Sequence, residues 1–76
     1  MKIFVKTIDG TTYIIDIDPN SDISLLKGKV YDIAGIYPSV QRLIFAGKLL
    51  IDSMNFRDYN IATDSTIHLI LRFPGG

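Results

Sequence analysis

The sequence contains no cysteine and no glutamate, and it has a single histidine. Without cysteine there are no disulfide staples, no thiolate metal sites and no cysteine nucleophiles. One histidine cannot build a zinc site by itself, and the acidic groups are eight aspartates scattered along the chain. Net charge is missing too. Eight basic residues balance eight acidic ones, which argues against a domain that coats nucleic acid or an anionic membrane. No apolar run approaches the roughly 18 residues of a membrane span. The opening Met1-Lys2-Ile3-Phe4-Val5-Lys6 is too interrupted for a signal peptide. Nor is there a nucleophile–base pair, a metal cluster or a phosphate-cradling glycine loop. An enzyme is therefore not expected, and neither is a cofactor or a metal.

What remains is apolar. Of the 76 residues, enough for one small domain, 47% are hydrophobic and the mean hydropathy is +0.26, which excludes a disordered chain. A domain this short buries only roughly 60–65% of its unfolded surface, so some apolar side chains must stay outside. Where they cluster is the first functional question.

Ile3 and Val5 alternate with Lys2, Phe4 and Lys6, the period of a half-buried strand. Thr7-Ile8-Asp9-Gly10 is turn chemistry, with Gly10 suited to a positive φ. Tyr13, Ile15 and Ile17 then alternate with Thr12, Ile14 and Asp16, so residues 1–17 predict a β-hairpin. Asp22 is placed to cap a helix carrying Ile23, Leu26, Lys27, Val30 and Ala34 on one face, and Gly35 suits a left-handed stop. Gly28 costs that helix about 1 kcal/mol relative to alanine. Pro38 forbids continuation. A third strand is expected at Gln41–Phe45, a turn at Ala46-Gly47, and a short partner strand over Lys48–Ile51. A one-turn element at Asp58-Tyr59-Asn60 precedes a closing strand over Thr66–Arg72, whose Ile67, Leu69 and Leu71 oppose Thr66, His68, Ile70 and Arg72. The plan is α+β, with a mixed sheet of about five strands and one helix packed across it.

Arg42-Leu43-Ile44-Phe45-Ala46-Gly47-Lys48 and Asp58-Tyr59-Asn60-Ile61, joined to a Gly75-Gly76 end at matching spacing, resemble the ubiquitin family. Met1, Ile3 to Thr7, Gly10, Pro19, Ile23, Lys27, Lys29, Gly35-Ile36, Pro38, Gln41, Ser65-Thr66, His68-Leu69 and Leu71-Arg72 fit the same pattern without a gap. The resemblance implies the β-grasp fold over residues 1–72, followed by a flexible tail over 73–76.

It also implies sites. Ile44, with His68 and Ile70 in the outward phase of the last strand, Ile8 on the hairpin tip, and Arg42 and Lys48 at the rim, matches the family's docking surface for small helical receptor domains. Ile8 and Ile70 also read as the unavoidable exposed apolar residues of a small domain. Ile8, Ile36, Leu71 and Phe73 resemble a second, smaller patch. Phe4 with Thr12 and Ile14 forms a third candidate, or simply a cross-strand pair. Leu49, Ile51, Ile33 and Val40 add apolar surface that matches no family contact.

In the family the Gly76 carboxylate is adenylated with ATP, passed to enzyme cysteines as a thioester and joined to a target lysine. Gly75 and Gly76 suit a narrow enzyme channel because they lack Cβ atoms. Arg72 resembles the residue read by the ubiquitin-activating enzyme. Pro74 removes a charge and a backbone N–H where the family has arginine. Lys6, Lys29 and Lys48 are the implied acceptor lysines, whereas Lys27 is expected to pair with Asp52. The implied partners are ubiquitin-activating and conjugating enzymes, helical receptor domains and target lysines, with no nucleic acid and no membrane. The implied form is a monomer in the cytoplasm and nucleus. A non-conjugated interaction domain cut from a longer protein, or a redesigned sequence with no native function, would carry the same motifs.

Overall fold

A computed structural model gives the fold over Met1–Phe73. Pro74, Gly75 and Gly76, and with them most of the expected tail, lie outside the described residues. The alternating N-terminal segment forms strands β1 (Lys2–Thr7) and β2 (Thr12–Asp16), joined by a tight turn in which Gly10 takes φ +90°. Their antiparallel register sets Ile3 opposite Ile15 and Val5 opposite Tyr13 on the inner face, and Phe4 opposite Ile14 on the outer.

Helix α1 spans Ile23–Ala34. It starts where the Leu25 amide donates to the Asp22 carboxylate at 2.9 Å, and stops at Gly35, which is left-handed at φ +72°. Ile23, Leu26 and Val30 point from it into the core and meet Ile3, Val5, Ile15, Leu43, Ile67 and Leu69 of the sheet. Strands β3 (Gln41–Phe45), β4 (Lys48–Leu49) and β5 (Thr66–Leu71) complete that sheet. Its order is β2-β1-β5-β3-β4, with β1 and β5 parallel and all other pairs antiparallel.

Several sequence expectations change. The partner strand expected over Lys48–Ile51 stops at Leu49, because Leu50 turns into the core while its amide donates to the Leu43 carbonyl at 2.8 Å. The Ile51 amide then donates to the Tyr59 hydroxyl at 2.9 Å instead of to a neighbouring strand. The short turn before β5 begins earlier, at Phe56, whose buried ring plugs the core, with Asn55 and Asp58 closing a reciprocal cap. Pro38–Val40 forms an unanticipated 3-10 turn that folds Val40 inward, so Val40 is not surface as expected. Leu71 shares the phase of Ile67 and Leu69 but lies beyond the core and is exposed, and β5 ends there instead of at Arg72.

Candidate partner-binding surfaces

Strand pairing builds one surface on the face of the sheet opposite α1. Directly opposed residues share a face. The register sets His68 against both Lys6 and Ile44, and Ile44 against Leu49. Lys6, His68, Ile44 and Leu49 therefore form a row across four strands. Beside it, Arg42 opposes Ile70. Ile44 is half-buried in this row, whereas its strand neighbour Leu43 is fully buried. The Arg42 guanidinium donates to the carbonyls of Gln41 at 3.0 Å and Ser39 at 3.3 Å, which fixes its charge at the border of the row. Lys48 is exposed and opposes Phe45, one position out of phase with Ile44, so it stands at the end of the strand pair and not in the row.

Leu49, which matches no family contact, is 55% exposed and lies directly against Ile44. The signal was present in the two-residue turn Ala46-Gly47. Both residues take positive φ, +52° and +77°, and such a turn pairs Phe45 with Lys48 and therefore Ile44 with Leu49. Lys6 also belongs to this surface by position, in addition to its expected place among the acceptor lysines.

Ile8 is 82% exposed on the hairpin tip. Together with half-buried Ile36 and exposed Leu71 it borders a hollow of about 350 Å³, floored by Tyr13 and Leu69. The tip holds its shape through Asp9, which accepts from the Thr7 hydroxyl and from the Thr11 amide. Those bonds, the hydroxyl's first, keep the Asp9 carboxyl below its ordinary pKa of 3.8. Phe73, placed with this patch by sequence, is exposed and does not border the hollow. In the third candidate Phe4 is half-buried opposite Ile14, which is exposed, with the Lys2 ammonium 5.4 Å from the Phe4 ring.

Of the candidate acceptor lysines, Lys6 and Lys48 are exposed and Lys29 is half-buried. Lys27 is buried and paired with Asp52, as expected. The Arg72 side chain is exposed, while its amide donates to the Val40 carbonyl at 2.8 Å and anchors the end of β5. Gly75 and Gly76 lie outside the described residues.

A five-stranded mixed sheet in this order, with one helix packed across it, is the β-grasp architecture of ubiquitin-like proteins. Comparison with known proteins agrees. The model of the ubiquitin family matches residues 3–74. Ubiquitin-like protein 1 of Schizosaccharomyces pombe is 45% identical over 76 residues, covering the whole of this chain and 97% of that protein. Ubiquitin-like protein NEDD8 of Dictyostelium discoideum is also 45% identical, over the whole chain and 99% of its own length. NEDD8-like protein RUB3 of Arabidopsis thaliana is 34% identical over the whole chain and 97% of its length. The chain belongs to the ubiquitin family.

Proposed function

We propose that this chain is a ubiquitin-like protein modifier. Its Gly76 carboxyl is activated with ATP and joined, through enzyme thioesters, to lysines of target proteins. Residues 1–72 form the recognised domain, and 73–76 are the segment presented to the enzymes. The chain is the transferred group in that chemistry and not a catalyst. Full-length likeness to small ubiquitin-like proteins carries this reading, since those relatives are themselves about the size of this one domain. Arg72, exposed at the end of β5, is the residue the activating enzyme reads.

Receptor domains then dock on the row through Ile44. An apolar centre of Ile44, Ile70 and Leu49 gains about 25 cal/mol for each Å² it loses to water. Arg42 and Lys6 at its margins steer acidic partners and set their orientation. Titration of helical ubiquitin-receptor domains against the parent and Ile44→Ala tests this part. The account expects at least about a tenfold loss of affinity with the fold retained, as for truncation of a central interface residue. Equal affinities would remove the docking surface from the proposal. Pro74 favours a second reading, a non-conjugated interaction module, because it withdraws a backbone donor close to the reactive end.

A further inference from the structure

The sheet has two edges, and they differ in how well they are protected. Strand β4 is two residues long and carries Lys48, which leaves little backbone to pair with. Strand β2 is five residues long, pairs only with β1 among the described residues, and contains no lysine, proline or bulge. Lysine, proline and bulges are devices by which natural edges avoid pairing, and the one charge on β2 is Asp16 at its last position. Its hydrogen-bonding phase is fixed by the bonds at its two ends. The Thr7 amide donates to the Thr11 carbonyl and the Ile17 amide to the Met1 carbonyl, both at 2.9 Å, so the odd-numbered residues of β2 face β1. The N–H and C=O groups of Thr12, Ile14 and Asp16 are directed away from the sheet.

We propose that this edge is a self-association surface, on which β2 of a second copy pairs antiparallel about a two-fold axis at Ile14. The parity of the outward groups selects that register. Ile14 exchanges both bonds with Ile14 of the other copy, and each Thr12 exchanges both with the opposite Asp16. No like charges face each other. On the outer face the register continues each Asp16 across Thr12 of the other copy to Lys6, because Lys6 opposes Thr12 within one chain. That separation is two strand spacings, roughly 9.6 Å, which a lysine side chain spans. Lys6 is exposed and makes no ion pair among the described residues, and the Asp16 side chain is 90% exposed despite its bond to the N-terminal ammonium.

Apolar surface flanks the edge on both sides. Ile14 is 63% exposed beside Phe4 on the outer face. On the helix side Ile33, 53% exposed, borders a hollow it shares with Ile15, Asp16, Lys29 and Asp32. A five-residue pairing of this kind buries less than the roughly 1,200 Å² of a stable interface, so the dimer is weak and transient. The inference revises the monomer implied by the sequence to a concentration-dependent equilibrium. It does not depend on the chain being conjugated.

The test uses the full chain, labelled with nitrogen-15. Amide spectra and sedimentation velocity are followed from about 0.05 to about 2 mM, the range in which a weak interface populates. Shifts that grow with concentration at Thr12, Ile14 and Asp16, with a matching rise in sedimentation coefficient, are expected. Thr12→Asp sets one new carboxylate against each Asp16 of the other copy and weakens the association by about tenfold, whereas Thr12→Lys sets an ammonium there and tightens it severalfold. Position 12 is exposed, and the hairpin amides report whether each variant keeps its fold. The proposal is overturned by any of three results: no concentration dependence, shifts confined to residues 42–49 and 66–71, or equal association by the two Thr12 variants.

Discussion

Gln41 is fully buried, and its side-chain amide donates at 2.9 Å to the carbonyls of Lys27 in α1 and Ile36 in the loop that follows. It thereby ties the middle of the helix and the loop after it to β3, while its own carbonyl oxygen has no partner. Gln41→Glu changes one atom group and keeps the shape. The variant loses both donated bonds, each worth about 1 kcal/mol, and sets a carboxylate oxygen against two carbonyls. An uncompensated buried charge costs about 3–5 kcal/mol. That is a large part of the roughly 4–11 kcal/mol expected for a domain of this length. At neutral pH the melting temperature should fall by roughly 15–25 °C.

The loss should depend on pH. Burial raises the pKa of the introduced carboxyl above its unfolded value of about 4.3, so the folded state binds the extra proton. Destabilisation is then full above the raised folded pKa and fades as the pH falls toward about 4.3, where the protonated acid regains one donor. Circular dichroism melts of the variant and the parent, compared at each pH, give the difference directly. A neutral-pH melting temperature within about 3 °C of the parent, below the shift for 1 kcal/mol, would refute the tie between helix and strand.

Gly28 lies within α1, and a Cβ built there meets nothing within 4 Å. Gly28→Ala should therefore stabilise the domain by about 0.5–1 kcal/mol, read as a raised denaturant midpoint at unchanged slope; a lower midpoint would show packing that the geometry does not contain. Asp22 accepts from the Ser24 hydroxyl at 2.7 Å and from the Leu25 amide, and these bonds, the hydroxyl's first, lower its carboxyl below 3.8. A lowered folded pKa contributes stability that is present above the unfolded value and is lost as the pH falls through the folded one. Asp22→Ala should thus melt below the parent at neutral pH, with the gap closing in acid; a gap independent of pH would contradict the charged cap.

The elements legible in the sequence were those set by local chemistry. Alternation at Ile3 to Ile17 marked the hairpin, and Asp22 and Gly35 marked both ends of the helix to the residue. Less legible were positions decided by tertiary packing. Nothing local distinguishes Leu50 from Ile51, yet one is core and the other surface, and that choice ended β4 early. Val40 sits beside a proline and a serine, and only the Pro38–Val40 turn shows that it faces inward. Gln41 reads as a polar strand residue until the two carbonyls it serves come from segments distant in sequence or in a loop. The proposed docking surface was half legible. The phase of β3 and β5 gave Ile44, His68 and Ile70, but placing Leu49 and Lys6 in the same row required the pairing register between strands.

The central claim is that the chain is a transferable modifier, and thioester formation tests it most directly. The full chain, ATP and the ubiquitin-activating enzyme, with activating enzymes of related modifiers in parallel, are resolved on a non-reducing gel beside a thiol-treated control. The account predicts a thiol-sensitive adduct with at least one activating enzyme, lost in Arg72→Ala. The absence of any adduct with each of these enzymes, beside working controls with their own modifiers, would contradict it.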